Sequence, residues 1–190
     1  VYPLEAFEPV LVKAAEILSS LSIKYHLTGG ITTAAYIEPR YTQDLDLVID
    51  QSAAEQQIEN FLQAISVSDF LYDEEAIRSA IESKRMFQLY DSVECLKLDI
   101  YTRELISGEL DRSIMAKVFE DRTYPIASRV DAVLSKLIWV SKGSHKNRRD
   151  VKLIYRSCNP EEQAAVREHA DERNLTALLD EVLAEPDEIE

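Results

Sequence analysis

The stretch YTQDLDLVID, residues 41–50, sets Asp44, Asp46 and Val48 in alternation with Leu45, Leu47 and Ile49. Period-two alternation is the pattern of a half-buried strand, whose side chains point to opposite faces in turn. Asp44 and Asp46 therefore share one face. Aspartate is disfavoured in strands, and two like charges side by side repel, so the pattern is unfavourable unless a cation lies against it. The identity of that cation decides how the chain is read.

Upstream, IKYHLTGG reads as a short strand running into Gly29 and Gly30. Only four glycines occur in the chain, and two of them are adjacent here, where a strand turns into a helix. Such a junction points backbone N–H groups forward, and the missing Cβ lets a phosphate come close. A plain tight turn is the alternative. ITTAAYI then reads as a short helix stopped by Pro39, after which the Asp-bearing strand begins. Before it, Leu11, Ala14, Leu18 and Leu21 recur at helical spacing and predict an amphipathic helix over about residues 8–21.

Downstream, Ser52 and Glu55 have capping-box spacing, which predicts a helix carrying Ile58, Phe61, Leu62 and Ile65. Residues 74–83 read as helical as well. RMFQLYDSVECLKLDIYT reads as a hairpin whose second strand sets Leu96, Leu98 and Ile100 against Lys97, Asp99 and Tyr101, so a third acid stands on a strand. Beyond Pro125, Ser128 and Asp131 cap a helix with Val130, Val133, Leu134, Leu137 and Ile138 on its apolar side. The remainder reads as helices broken near Asn159-Pro160.

The chemistry follows from the acids. Residues two apart on a strand are separated by roughly 7 Å, so both carboxylates can reach metal between or beside them at bond lengths of about 2.1 Å. Magnesium is the expected cation. Asp99, from another strand, can complete a two-metal clamp with the ions about 3.5–4 Å apart.

Length and composition agree with a soluble globular protein: 190 residues, 46% hydrophobic and 29% charged. No apolar run is long enough to span a bilayer, and Glu5 and Glu8 stand where an export signal would be basic and then apolar. Cys95 and Cys158 make neither a disulfide framework nor a zinc spacing, so a reducing cytoplasm is expected. A net charge of −14 argues against general attraction to nucleic acid or anionic membrane. The charge is uneven, with acids dominating residues 161–190 and bases dominating KGSHKNRRDVK, residues 142–152. The basic run is either a solvated helix face or a place for phosphate.

GGITTAAYIEPRYTQDLDLVID, with Gly-Gly followed by Arg-x-Thr-x-Asp-x-Asp, resembles the nucleotidyltransferase superfamily of DNA polymerase beta. Within it the sequence is most similar to the bacterial AbiEii-type group, found as toxins of abortive-infection and toxin–antitoxin systems. SRVDAVLSKLIWVSKGSHKNRRDVKLIY resembles that group's distal motif, a helical lysine followed by a basic-Asp pair, so the likeness spans roughly residues 25–155. The resemblance implies an α/β nucleotidyltransferase fold, a mixed sheet flanked by helices with a helical C-terminal part. It divides the chain into a catalytic core over residues 1–127 and a helical part over 128–190 packed on it.

Carried over by position, Gly29 and Gly30 form the phosphate-cradling turn, while Asp44, Asp46 and Asp99 hold two magnesium ions. Asp99 can also take the acceptor hydroxyl's proton. Lys136 matches the triphosphate-contacting lysine, and Asp150 the acidic position beside Arg149. Many members have Ser where Gly30 stands, which leaves backbone amides alone at that point. Arg40 and Thr42 belong to the nucleotide-binding set, Arg40 either neutralising phosphate or pairing with the acidic strand. Arg149 and Asp150 form either a structural ion pair or part of the site. The implied reaction moves NMP from a nucleoside triphosphate to a hydroxyl, on RNA, a small molecule or a protein, with an antitoxin as a further expected partner. A non-catalytic nucleotide-binding or scaffold protein of the same fold is the alternative.

His26 and His145 are expected in packing or surface roles, and Trp139 in the core. Tyr101 is read as facing away from Asp99 and is given no role.

Overall fold

The computed structural model describes residues 2–37, 42–119 and 122–186. The chain separates into two compact units, Val1–Ala127 and Ser128–Glu190.

In the first unit a 3-10 turn, Leu4–Phe7, leads into α1, Glu8–Ser20. Pro9 at the start of α1 costs no helical hydrogen bond, because the first N–H groups have no partner within the helix. Strand β1, Tyr25–Thr28, runs into α2, Gly30–Tyr36, and β2 is Leu45–Ile49. The helical stretch after β2 is split into α3, Gln51–Gln56, and α4, Ile58–Ser66. Its cap is Asp50, whose Oδ1 accepts from Ala53 N at 3.1 Å, and not the expected Ser52. Asp50 alone separates the end of the strand from the start of the helix, so the carboxylate at the junction reaches the first-turn amide, while Ser52 already lies inside the helix.

Next come β3, Phe70–Leu71, α5, Glu74–Glu82, and the expected hairpin of β4, Met86–Asp91, with β5, Leu96–Tyr101. Two further strands, β6, Ile114–Phe119, and β7, Arg122–Ile126, were not read from the sequence. Pro125 argues against a strand because it donates no ladder hydrogen bond. Here it lies one residue before the end of β7.

Among the described residues the strands form one mixed sheet in the order β3-β4-β5-β2-β1-β7-β6. β2 is antiparallel to β1 and parallel to β5. Leu45, Leu47 and Ile49 of β2, Phe87 and Leu89 of β4, and Leu96, Leu98 and Ile100 of β5 all enter one core with Leu11, Leu18, Phe61, Ile65 and Ile77 of the helices. A one-residue slip of β2 or β5 would turn this entire row to the other face, so burial fixes the register. The same alternation turns the acidic residues to the opposite face.

The second unit is helical: α6, Arg129–Ser141, α7, Asn147–Ser157, α8, Pro160–Glu172, and α9, Thr176–Ala184. Ser128 caps α6 as expected, its Oγ accepting from Asp131 N at 3.1 Å and donating to Asp131 Oδ2 at 2.6 Å. Asn159 and Glu162 form a reciprocal capping box at the start of α8. α7 and α8 both pack on α6, burying Leu134, Leu137, Ile154, Val166 and Ala170. Trp139, expected in the core, is 41% exposed on α6 with the Lys142 ammonium 4.9 Å from its ring centre. Its neighbours Leu137 and Val140 take the buried stripe instead. No described helix is long and apolar enough to cross a membrane.

Candidate active site

Parallel pairing of β2 with β5 sets Asp46 directly opposite Asp99 and Leu45 opposite Leu98. Residues so paired point to the same side, so the apolar partners go to the core and the acids gather on the other face. Asp44 stands two residues before Asp46, and Lys97 two before Asp99.

The cation against the acids is supplied by the chain itself. The Lys97 ammonium lies 2.8 Å from Asp99 Oδ2 and 3.5 Å from Asp44 Oδ2. The other Asp99 oxygen accepts from Gln88 Nε2 at 2.9 Å, across the β4–β5 pair. Burial disfavours the charged form of Lys97, but hydrogen bonds and attraction from Asp99 and Asp44 outweigh it and raise its pKa above the ordinary lysine value.

Tyr101 also belongs to this face, contrary to expectation, because residues two apart on a strand point the same way. Its hydroxyl donates to Asp46 Oδ1 at 3.3 Å. Burial first, and then the charges of Asp46, Asp99 and Asp44, push the Tyr101 phenol well above its usual pKa. It therefore stays neutral and donates. Lys97 and Tyr101 are the site residues that sequence reasoning missed, and their spacing of two on either side of Asp99 was the available signal.

Gly29 is at φ 67° and ψ −134°, a conformation that side chains disfavour. A Cβ there would stand 2.0 Å from Asp46 Oδ2 and 2.8 Å from its Cγ. Only a glycine lets the β1–α2 turn lie against this carboxylate, which explains Gly29 before any ligand is considered. Gly30 is the first residue of α2, and the Thr32 hydroxyl donates to the Gly29 carbonyl at 2.8 Å.

Thr42 is buried; its backbone pairs with Tyr2 and its hydroxyl donates to the Asp44 carbonyl at 3.1 Å, so it holds the approach to β2. Arg40 lies outside the described residues. His26, on β1, is fully buried, with Nδ1 2.8 Å from Ser113 Oγ and Nε2 3.7 Å from Glu109 Oε2. His145 is exposed.

The first unit thus brings Asp44, Asp46, Asp99 and Gly29 together. In the second unit Lys136 and Asp150 meet each other, Nζ to Oδ2 at 2.9 Å, with side chains only 6% and 2% exposed. Arg149 is exposed while its neighbour Asp150 is buried, so the two point to different sides of α7. Much of the basic run is engaged at home. The Arg148 guanidinium pairs with Glu181 and Glu185, and the Lys152 ammonium donates to the carbonyls of Glu185 and Pro186 at 2.6 and 3.1 Å.

The carboxylates of Asp46 and Asp99 on adjoining strands, and of Asp44 just before β2, are hard oxygen donors of the kind magnesium takes. Among the described residues no three acids, histidines or cysteines are arranged around one metal position. Lys97 occupies the space between Asp44 and Asp99, and a face that gathers an ammonium between two carboxylates is one that favours a cation. The donors are of the kind magnesium takes, and strand register sets two of them, Asp46 and Asp99, directly opposite each other.

Residues 13–189 match the family described as nucleotidyl transferase AbiEii toxin, type IV TA system. The chain belongs to the AbiEii nucleotidyltransferase family. Its fold is shared by the antibiotic-resistance factor ANT(2'')-Ia, with a TM-score of 0.57 and 13% identity over 91% of this chain and 94% of that one. An antigenic nucleotidyltransferase-like protein from Paracoccidioides brasiliensis is also similar, with a TM-score of 0.51 and 18% identity over 94% of this chain and 95% of that one. At these identities the likeness is one of fold. Among curated proteins none matches this sequence. Membership of the AbiEii family makes the chain a nucleotidyltransferase-type protein.

Proposed function

We propose that this AbiEii-family protein transfers NMP from a nucleoside triphosphate to a hydroxyl and releases pyrophosphate. The observation that carries the reading is the direct opposition of Asp46 and Asp99 across parallel strands, with Asp44 on the same face and Gly29 packed against Asp46. Asp44, Asp46 and Asp99 would hold magnesium. Bound there, it would polarise the transferred phosphoryl group and offset the charge of the leaving pyrophosphate.

The chain's own part is positioning. Gly29 and Gly30 let the backbone approach a phosphate without side-chain interference. Tyr101 orients Asp46, and Gln88 orients Asp99, so neither carboxylate is free to rotate away. Asp99, the nearly buried member, is the group proposed to take the acceptor's proton. Lys136, carried over as a triphosphate contact, is engaged with Asp150, and we assign it to joining α6 and α7.

For the acceptor, the toxin description of the family favours RNA. The engagement of Arg148 and Lys152 with the C-terminal segment favours an acceptor that needs few phosphate contacts, such as an RNA end or a compact hydroxyl compound. Incubation with each labelled nucleoside triphosphate, magnesium and total cellular RNA separates these. Label in RNA supports the first, with each neutralised phosphate adding roughly 0.7–0.9 to the log–log salt slope of binding. Pyrophosphate release that leaves the RNA unlabelled supports a compact or protein acceptor. Absence of magnesium-dependent release with every triphosphate and acceptor class would support the non-catalytic alternative.

A further inference from the structure

The metal-binding face carries its own cation. Among the described residues, Lys97 makes the ion pairs to Asp44 and Asp99, at 3.5 and 2.8 Å. A lysine on a strand face that is not part of the core has four flexible carbons with which to reach water. This one instead keeps its head between the carboxylates, with 23% of its side chain exposed. Like charges gathered on one face, Asp46 and Asp99 on adjoining strands with Asp44 just before β2, repel one another. A single ammonium removes part of that repulsion.

A divalent ion held by Asp44 and Asp99 cannot share that space with Lys97. Magnesium needs oxygen atoms at about 2.0–2.1 Å in near-octahedral geometry. An ammonium at hydrogen-bond distance from the same oxygens would take up their lone pairs and place a like charge beside the ion.

We propose that Lys97 is a built-in counter-cation for Asp44 and Asp99, which a divalent ion must displace, and that it thereby sets the affinity of the site for metal. This rests on the assignment of these acids as metal ligands. Lys97 acts through the carboxylates and is a positioning residue. Its displaced ammonium gains a new anionic partner when a triphosphate is present, so metal and nucleotide enter together more readily than metal alone. Without nucleotide the lysine offsets the charges of Asp44 and Asp99 in the metal-free protein.

The test uses the full chain without nucleotide and Mn2+ as the probe, with binding followed by the electron paramagnetic resonance signal of free Mn2+. Lys97→Met is expected to bind Mn2+ about tenfold more tightly than the parent, or better, because a positive charge beside the ion is gone. Lys97→Arg retains the charge and is expected to stay near the parent. In EDTA Lys97→Met should melt below the parent, and Mn2+ should raise its melting temperature by more than the parent's. Tighter binding by the Met variant alone supports the proposal. A folded Lys97→Met that binds Mn2+ no more tightly than the parent overturns it, while leaving the ligand assignment intact if Asp46→Asn loses Mn2+. No binding by parent or variant overturns both.

A second measurement needs no variant. In the parent labelled with 15N-lysine, the Lys97 ammonium resonance should change from a carboxylate-paired to a rapidly exchanging signal as Mg2+ binds. A signal that is unchanged at saturating Mg2+ overturns the proposal.

Discussion

The bare α-carbon of Gly29 lies against the carboxylate of Asp46, so closely that a methyl built on it would come within 2.0 Å of Oδ2. With φ at 67°, alanine is disfavoured there even before the clash is counted. Gly29→Ala is expected to cost about 1–2 kcal/mol from the backbone conformation alone, read by denaturant unfolding. Displacement of Asp46 by an ångström should lower the transfer rate about a hundredfold. A variant with parental rate would mean that the position of Asp46 does not govern catalysis.

The Lys136–Asp150 pair is buried at 2.9 Å, and removing one partner takes a short, desolvated contact from the other charge. Lys136→Met is expected to destabilise the protein by about 3–5 kcal/mol, with much of the loss regained in Lys136→Met/Asp150→Leu. Denaturant unfolding of both variants checks this. A single variant that unfolds like the parent but loses nucleotide affinity would restore the triphosphate contact implied by the sequence likeness.

Asp91 closes the β4–β5 turn, its Oδ1 accepting from Val93 N at 3.0 Å and Glu94 N at 2.9 Å, with Lys13 at its other oxygen. Burial would raise its pKa, but the Glu94 amide, the Lys13 ammonium and the Val93 amide together hold it below the usual carboxylate value. A group whose pKa is depressed by folding contributes stability that is present above its unfolded value, about 3.9, and lost as pH falls through its folded value. The stability gap between the parent and Asp91→Asn should therefore be full at neutral pH and narrow below about pH 4. Unfolding curves across that range test the sign; a gap that widens in acid would contradict it.

Much of this site could be read along single strands. Alternation in DLDLVI and LKLDIY marked the inward leucines and the outward acids, and the hairpin joining Met86 to Tyr101 was visible as two such runs. The adjacency of β2 and β5 was not visible, since their pairing places Asp46 against Asp99 across three helices and two strands of intervening chain. The cation that answers the acidic strand was therefore sought outside the protein, although Lys97 stood two residues from Asp99. The side assigned to Tyr101 was an error of parity. Lys136 is a different case. A helix pattern marks it as a lysine on an apolar face, but only the packing of α6 with α7 reveals Asp150 as its partner.

Pyrophosphate release from a mixture of nucleoside triphosphates and cellular acceptors, by the parent and by Asp46→Asn, tests the central claim most directly. Circular dichroism and thermal unfolding establish that the variant is folded, which is expected because the amide keeps the shape of the carboxylate and removes one like charge from the face. The account predicts release that requires magnesium in the parent and falls about 10²–10³-fold in the variant. Parental release by folded Asp46→Asn, or undiminished release by the parent in EDTA, would contradict it.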